Sequence, residues 1–376
     1  MKTLICIPCL LTGGTEIQTL NTVQALVQGR HDVTVACYFE HATDMVNRYR
    51  KTGAKVILFS PEGNRVTGYR IIPFLYKHLR RTIKTVRPDV THVQYMTPGA
   101  MVILLLWMMG LKNIIATAHT AADIYKDLRL IHFIQRHCVR AFTCITELAE
   151  HSFFGTSHLY TPQTAIKKRN HFTIHNTLPS STSIIKSDAK SNADNTHFTL
   201  GVVSRLEKIK GMDLVIPAFA RVLKQHPHTK LIVVGEGSLR SAMQQQAIDL
   251  GCTENITWVG RKPQEELPLW YSQMDIVLMP SRSEGFGLTA IEAMANGCVV
   301  VASNVGGLPE VVRNNVCGLL HKSEDIADMS AKISSLINNK EEYDQLQSQS
   351  HNEVKKYTFE QYAELINNLY EQLKSH

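Results

Sequence analysis

The sequence predicts an α/β protein built from two doubly wound, parallel-sheet domains. Three observations carry that prediction. The chain is 376 residues long, too long for one ordinary core and short for three. Apolar residues make up 44% and charged residues 19%, which describes a folded chain and excludes a disordered one, a collagen or a coiled coil. Short runs rich in Val and Ile alternate with helical patterns, stop at a polar stretch, and then start again.

In the first half the strand-like runs fall at 3–9, 32–37, 55–59, 90–94, 113–118, 140–145 and 171–175. Helical patterns at 16–29, 73–87 and 128–139 separate them. The segment 179–196 is polar and rich in Ser and Thr, which predicts a first domain at 1–180 and a linker at 181–196. The second domain, expected over 197–356, repeats the alternation. Its strands are read at 198–205, 230–237, 255–260, 275–281 and 298–303, with helices at 213–225, up to about 250, and after Gly287. Sheets of this kind bind ligands beyond the carboxyl ends of their strands, so the site is expected in a cleft between the domains. Residues 359–373 form an amphipathic helix whose pattern does not say which domain it packs on.

The longest strongly apolar run, 101–111, is eleven residues, and about twenty are needed to span a bilayer. The apolar N-terminus leads into Thr12-Gly13-Gly14-Thr15-Glu16 without a small-residue cleavage pattern, and is read as a core strand and not a signal peptide. Eight cysteines set mostly in apolar stretches suit buried thiols in a reducing compartment. Cys6 and Cys9 form the only CxxC, and core cysteine is preferred there to a zinc or redox pair. Charge is uneven. Residues 1–180 hold 21 basic against 10 acidic side chains, whereas residues 181–376 hold 19 against 23. A basic first half points to an anionic partner.

The densest chemical signal is the segment 280–294, PSRSEGFGLTAIEAM. A strand end, a two-glycine loop and a helix start at Leu288 offer backbone N–H groups and a dipole end suited to phosphate. Glu284 and Glu292 cannot help hold a phosphate, but they can accept hydrogen bonds from ribose and sugar hydroxyls. A solvated turn Glu and a helix-start Glu are the plainer alternative. In 201–211, GVVSRLEKIKG, Arg205 and Lys210 follow a strand and can neutralise a diphosphate, though such loop cations are often only solvated.

These segments resemble the retaining glycosyltransferases of family four, which have the GT-B fold of two Rossmann-like domains. Glu284 and Glu292, with seven residues between them around Glu-Gly-Phe-Gly, match that family's paired glutamates, and Arg205 and Lys210 its pyrophosphate-binding cations. Gly260 and Arg261 resemble the stretch near the nucleotide base. Gly13, Gly14 and Thr15 resemble the glycine-rich loop near donor phosphate and acceptor. His119 resembles the histidine close to the reacting sugar, with a core histidine as the alternative. Asn176-Thr177 departs from the family's usual Asn-Gly before the linker.

The resemblance implies transfer of a hexose or N-acetylhexosamine from a nucleotide diphosphate sugar, uridine-linked by preference, to a hydroxyl of a glycan or lipid-linked acceptor, with configuration retained. The donor site it implies comprises Gly14, Thr15, Arg205, Lys210, Arg261, Glu284, Gly285, Phe286, Gly287, Leu288 and Glu292. The acceptor site comprises Gly13, Gly14 and His119, and the catalytic set Glu284, His119, Arg205 and Lys210. It also implies that the last helix, 357–376, packs back on the first domain. No Asp-x-Asp occurs, so neither a metal nor another cofactor is expected. In the helix 73–87, Leu75, Tyr76, Leu79, Ile83 and Val86 form the expected packed face. Lys77, Arg80, Arg81, Lys84 and Arg87 form a basic one, either solvated or adsorbed to anionic lipid. The resemblance implies a protein in the cytoplasm or on the inner face of a bacterial inner membrane; nucleic acid is a poorer partner. Competing readings are a nucleotide-sugar epimerase on the same scaffold, a dinucleotide oxidoreductase (Gly235-Glu236-Gly237 lacks the third glycine), and a non-catalytic subunit.

Overall fold

A computed structural model describes residues 1–94, 99–121, 127–164, 166, 169–185 and 198–374. The chain divides into two compact units, Met1–Ser180 with Thr358–His376, and Ser181–Tyr357. The expected linker lies outside the described residues from position 186 onward.

The first unit holds strands β1 (Lys2–Ile7), β2 (Asp32–Cys37), β3 (Lys55–Leu58), β4 (Val90–Gln94), β5 (Ile114–Ala118), β6 (Ala141–Cys144) and β7 (His171–Thr173). They form one sheet in the order β3-β2-β1-β4-β5-β6-β7, and every pairing is parallel. The second unit holds β8 (Thr199–Val203), β9 (Lys230–Val234), β10 (Ile256–Gly260), β11 (Ile276–Met279), β12 (Val299–Ser303) and β13 (Gly318–His321), in the order β10-β9-β8-β11-β12-β13 and again all parallel. The central strands are buried along nearly their whole length, as sheets covered on both faces require. Strand order reverses between β1 and β4 in the first sheet and between β8 and β11 in the second. Those reversals open crevices at the carboxyl ends of these strands.

Helix Phe359–Lys374 belongs to the first unit, with Phe359, Tyr362, Ile366, Leu369, Tyr370 and Leu373 buried in the core formed with β1, β2 and helix Gly14–Gln28. Tyr362 and Thr22 share a hydrogen bond of 2.7 Å, and the Asn367 amide donates to the Ala25 carbonyl at 3.1 Å.

Three sequence expectations change. The helix expected to start at Pro73 spans Ile71–Val86, fed by a 3-10 turn at Gly68–Arg70. Proline is tolerated in that first turn because its missing N–H had no helical partner to lose. Tyr76 is 44% exposed and is not on the packed face, which centres on Leu75, Leu79 and Thr82. It lies about 100° around the helix from Leu75, next to exposed Tyr69 and Ile72. Finally, Cys9 is only half-buried, while the other seven cysteines are buried, and all eight are free thiols.

Candidate active site

In the second unit the loops after β8 and β11 meet at the strand reversal. Lys210, at the end of a 3-10 turn (Lys208–Lys210), donates to Glu284 at 2.6 Å, and both side chains are mostly buried. The Ser281 hydroxyl is 3.4 Å from the same carboxylate oxygen. Arg282 fastens the two loops together. Its backbone N–H donates to the Ile209 carbonyl at 2.9 Å, and its guanidinium bonds both Asp213 oxygens at 2.6 and 2.9 Å and also reaches Glu324. The Asp213 carboxyl is held below its usual range by that guanidinium. Gly211 has φ +67°, and a Cβ there would sit 1.8 Å from the Pro280 carbonyl oxygen, so the loops approach this closely only with glycine.

Gly287, with φ +101°, starts helix Leu288–Ala295, whose first N–H groups have no partner within the helix. Phe286 is buried edge-on against Tyr357, with ring centroids 5.6 Å apart, so residue 286 offers a ligand only its backbone. Glu292 is buried on that helix. The Gln264 amide donates to one carboxylate oxygen at 2.6 Å and the Tyr271 hydroxyl to the other at 3.0 Å. Burial pushes its carboxyl pKa up, and those two bonds oppose the rise. Gln264 and Tyr271 tie the stretch after Gly260 to Glu292. Arg261, in the same stretch, is exposed, as is Arg205.

Sequence reasoning missed Gln264 and Tyr271, because nothing local marks a pairing across 28 and 21 positions. It also missed Gly307, whose N–H donates to the Glu284 carbonyl at 3.0 Å. The tandem glycines 306–307 after a strand were the available signal.

In the first unit, Gly13 caps helix Gly14–Gln28, so Gly14 and Thr15 occupy its first turn at the carboxyl end of β1. Glu16 follows, buried, and accepts from the Cys9 thiol at 3.2 Å. Burial and the Glu16 charge push the Cys9 thiol up to about 12, so it remains protonated. His119 directly follows β5 and is only 6% exposed. Its Nε2 lies 2.8 Å from Oε1 of Gln94, the last residue of β4. Burial lowers the His119 pKa to about 4, leaving a neutral imidazole. The histidine is therefore both buried and at the carboxyl end of the sheet's strands. Among the described residues, no group of three or more His, Cys, Asp or Glu is arranged to hold a metal ion.

Two family models match this chain: Glycosyl transferases group 1 over residues 183–353, and Glycosyltransferase Family 4 over residues 12–152. The two matches together cover most of the chain, which belongs by sequence to glycosyltransferase family four. The D-inositol 3-phosphate glycosyltransferase of Segniliparus rotundus is 38% identical over 154 residues, covering 40% of this chain and 34% of that protein. Its Corynebacterium jeikeium counterpart is 33% identical over 181 residues, covering 46% of this chain and 43% of that protein. The match thus spans about a third to two-fifths of the length of these curated relatives. Among solved structures, Anabaena HepE in complex with UDP and glucose is similar at a TM-score of 0.77 and 16% identity over 100% of both chains. Sucrose-phosphate synthase of Thermosynechococcus elongatus is similar at 0.75 and 18%, also over 100% of both. At such identities the likeness shows the fold, and the fold of this chain is GT-B.

Proposed function

We propose that this chain transfers a hexosyl or N-acetylhexosaminyl group from a nucleoside diphosphate sugar, uridine-linked, to a hydroxyl of a glycan or lipid-linked acceptor, with retained configuration and without a metal. The observation that carries this reading is the Lys210–Glu284 pair at the β8/β11 reversal, beside the start of helix Leu288–Ala295. It sets a cation, a hydroxyl-accepting carboxylate and a helix N-terminus side by side, the three groups that a sugar diphosphate needs. The glycosyltransferase names of the relatives favour transfer over epimerisation, and UDP bound in HepE favours a uridine donor.

In this reading Arg205, Lys210 and the N–H groups at 287–289 stabilise charge developing on the leaving diphosphate. Arg261 and the loop around Gly285 flank the nucleotide, Glu292 accepts from the ribose, and Glu284 accepts from sugar hydroxyls. Gly13, Gly14 and His119 serve the acceptor, and Gly14 and Thr15 the donor. The anomeric C–O bond to the diphosphate breaks, and the acceptor oxygen bonds the same face. The acceptor's proton passes to the leaving phosphate oxygen, so no carboxylate nucleophile is required.

Thermal shift with UDP, GDP and ADP, each with and without EDTA, tests the donor site. Saturation at a hundredfold excess over Kd stabilises by about 2.7 kcal/mol. A shift with UDP that survives EDTA is expected. No shift with any diphosphate would overturn the donor site, and loss of the shift with EDTA would overturn metal independence.

A lipid-linked acceptor is favoured by one surface. Exposed Tyr69, Ile72 and Tyr76 flank exposed Lys77, Arg80, Arg81 and Lys84 on and before helix Ile71–Val86. Each basic residue near an anionic bilayer contributes about 1 kcal/mol. Among the described residues no helix is long and apolar enough to cross a membrane. Sedimentation with anionic vesicles should fall steeply when these four cations become Glu; unchanged binding would remove the membrane from the proposal.

A further inference from the structure

The buried polar groups behind His119 form a connected chain that the transfer reading does not use. The Gln94 side chain sits between two histidines, with Oε1 2.8 Å from His119 Nε2 and Nε2 3.1 Å from His92 Nε2. His92 Nε2 is also 2.6 Å from the Thr117 hydroxyl, and His92 Nδ1 is 2.8 Å from the Tyr370 hydroxyl. Thr117 in turn meets the Thr143 hydroxyl at 2.6 Å. His92, Gln94 and Tyr370 are each at most 2% exposed. The chain runs from the carboxyl ends of β4 and β5 to the terminal helix Phe359–Lys374.

The roles in such a chain are interlocked. An amide oxygen only accepts, so His119 must carry its proton on Nε2 to bond Gln94. An amide nitrogen only donates, so His92 Nε2 must be the bare nitrogen, which the Thr117 hydroxyl also serves as donor. Burial keeps both rings neutral, holding His92 at about 3 and His119 at about 4. A neutral imidazole has one N–H, so that of His92 is on Nδ1 and donates to Tyr370. We propose that Tyr370, His92 and Gln94 are positioning residues that fix the proton of His119 on Nε2, so that the terminal helix acts on the site through the tautomer of one histidine. This rests on the transfer reading, in which His119 meets the acceptor side. It gives the returning helix a chemical role besides packing.

Removing the far acceptor reverses the chain. In Tyr370→Phe the His92 Nδ1–H has nowhere to donate in a buried setting, a loss that favours the other tautomer. His92 then carries its proton on Nε2 and donates toward Gln94, whose amide must turn over. The turned amide presents N–H to His119 Nε2, which becomes the bare nitrogen, and the proton moves to Nδ1. Gln94→Glu added to Tyr370→Phe offers His119 only an acceptor, and so restores Nε2–H.

The experiment is 15N NMR of the histidine-labelled full chain at pH 7, with the His119 signals assigned by their loss in His119→Gln. The expected result is Nε2–H in the wild type, Nδ1–H in Tyr370→Phe and Nε2–H again in the double variant, with thermal melts confirming that each is folded. The same His119 tautomer in wild type and Tyr370→Phe would overturn the relay, as would Nδ1–H in the wild type. The outcome is separable from that of the transfer reading. Full turnover of His119→Gln, on the donor that the nucleotide screen selects, would remove His119 from the reaction without altering the tautomer result.

Discussion

The two units place polar side chains near the carboxyl ends of strands at or next to a reversal, yet they build them from opposite materials. The second unit uses charge: Lys210 against Glu284, and Arg282 against Asp213 and Glu324. The first uses neutral groups in a chain, His119, Gln94 and His92, all buried. A diphosphate brings charge that must be met by charge, whereas a hydroxyl acceptor needs only oriented donors and acceptors. The difference predicts that the second unit responds to charge deletion and the first to proton placement.

The largest effect should come from Lys210→Ala. It removes a cation from the proposed leaving group and leaves Glu284 mostly buried without its ion-pair partner. Loss of one such stabilising donor costs about 10²- to 10³-fold in turnover. Steady-state kinetics on the screened donor would show it, and a wild-type rate would dissolve the contrast between the units.

Acid should separate them next. His92 and His119 have folded pKa values depressed by burial to about 3 and about 4, from an ordinary 6.5. The unfolded chain therefore binds more protons, and stability is lost as pH falls below about 6.5, by about 1.4 kcal/mol per unit for each histidine. In the second unit Glu292 is shifted upward by burial, so it loses stability as pH rises above the usual carboxyl value of 4.5. There it opposes the smaller acid sensitivity of half-buried His226 and buried His321. Hydrogen exchange between pH 6.5 and 4.5 should show protection falling faster over β4 and β5 than over helix Leu288–Ala295. Equal slopes would refute the comparison.

A smaller effect is expected at Glu292. Glu292→Gln keeps its shape and its bond from Gln264 but turns the oxygen facing Tyr271 into an N–H₂, so the Tyr271 O–H loses this acceptor. One buried mismatch costs about 1–3 kcal/mol. Chemical denaturation should register it, and Tyr271→Phe in the same background should recover part of the loss. Additive losses would mean that these groups do not form one cluster.

What was legible in the sequence follows from range. Strands buried on both faces write themselves as Val- and Ile-rich runs, so the alternation, the two sheets, the loops carrying Arg205, Lys210 and Glu284 and the helix carrying Glu292 could be read from the chain alone. The four-residue β13 could not, because GLLH is too short to show a pattern. Tyr76 was misplaced because helical periodicity finds a face but not its edge, which the neighbours decide. Hydrogen bonds joining distant positions were invisible: Gln264 to Glu292, Gly307 to Glu284, and His92 to Tyr370 across 278 residues. Each depends on which strands become neighbours, and no local spacing encodes that.

The smallest effect sharpens how the charged site is held. Arg282 touches no proposed ligand, but its guanidinium and backbone pin the turn bearing Lys210 to the loop bearing Glu284. Arg282→Lys keeps the charge and loses the planar fork that grips both Asp213 oxygens. Because the pair is partly exposed, the stability cost should stay near 1 kcal/mol. The kinetic cost should appear in kcat more than in KM, since a loosened Lys210 binds the ground state nearly as well but meets the developing charge late. A change confined to KM would mean that Arg282 serves binding alone, and that the ion-paired loops are preorganised without it.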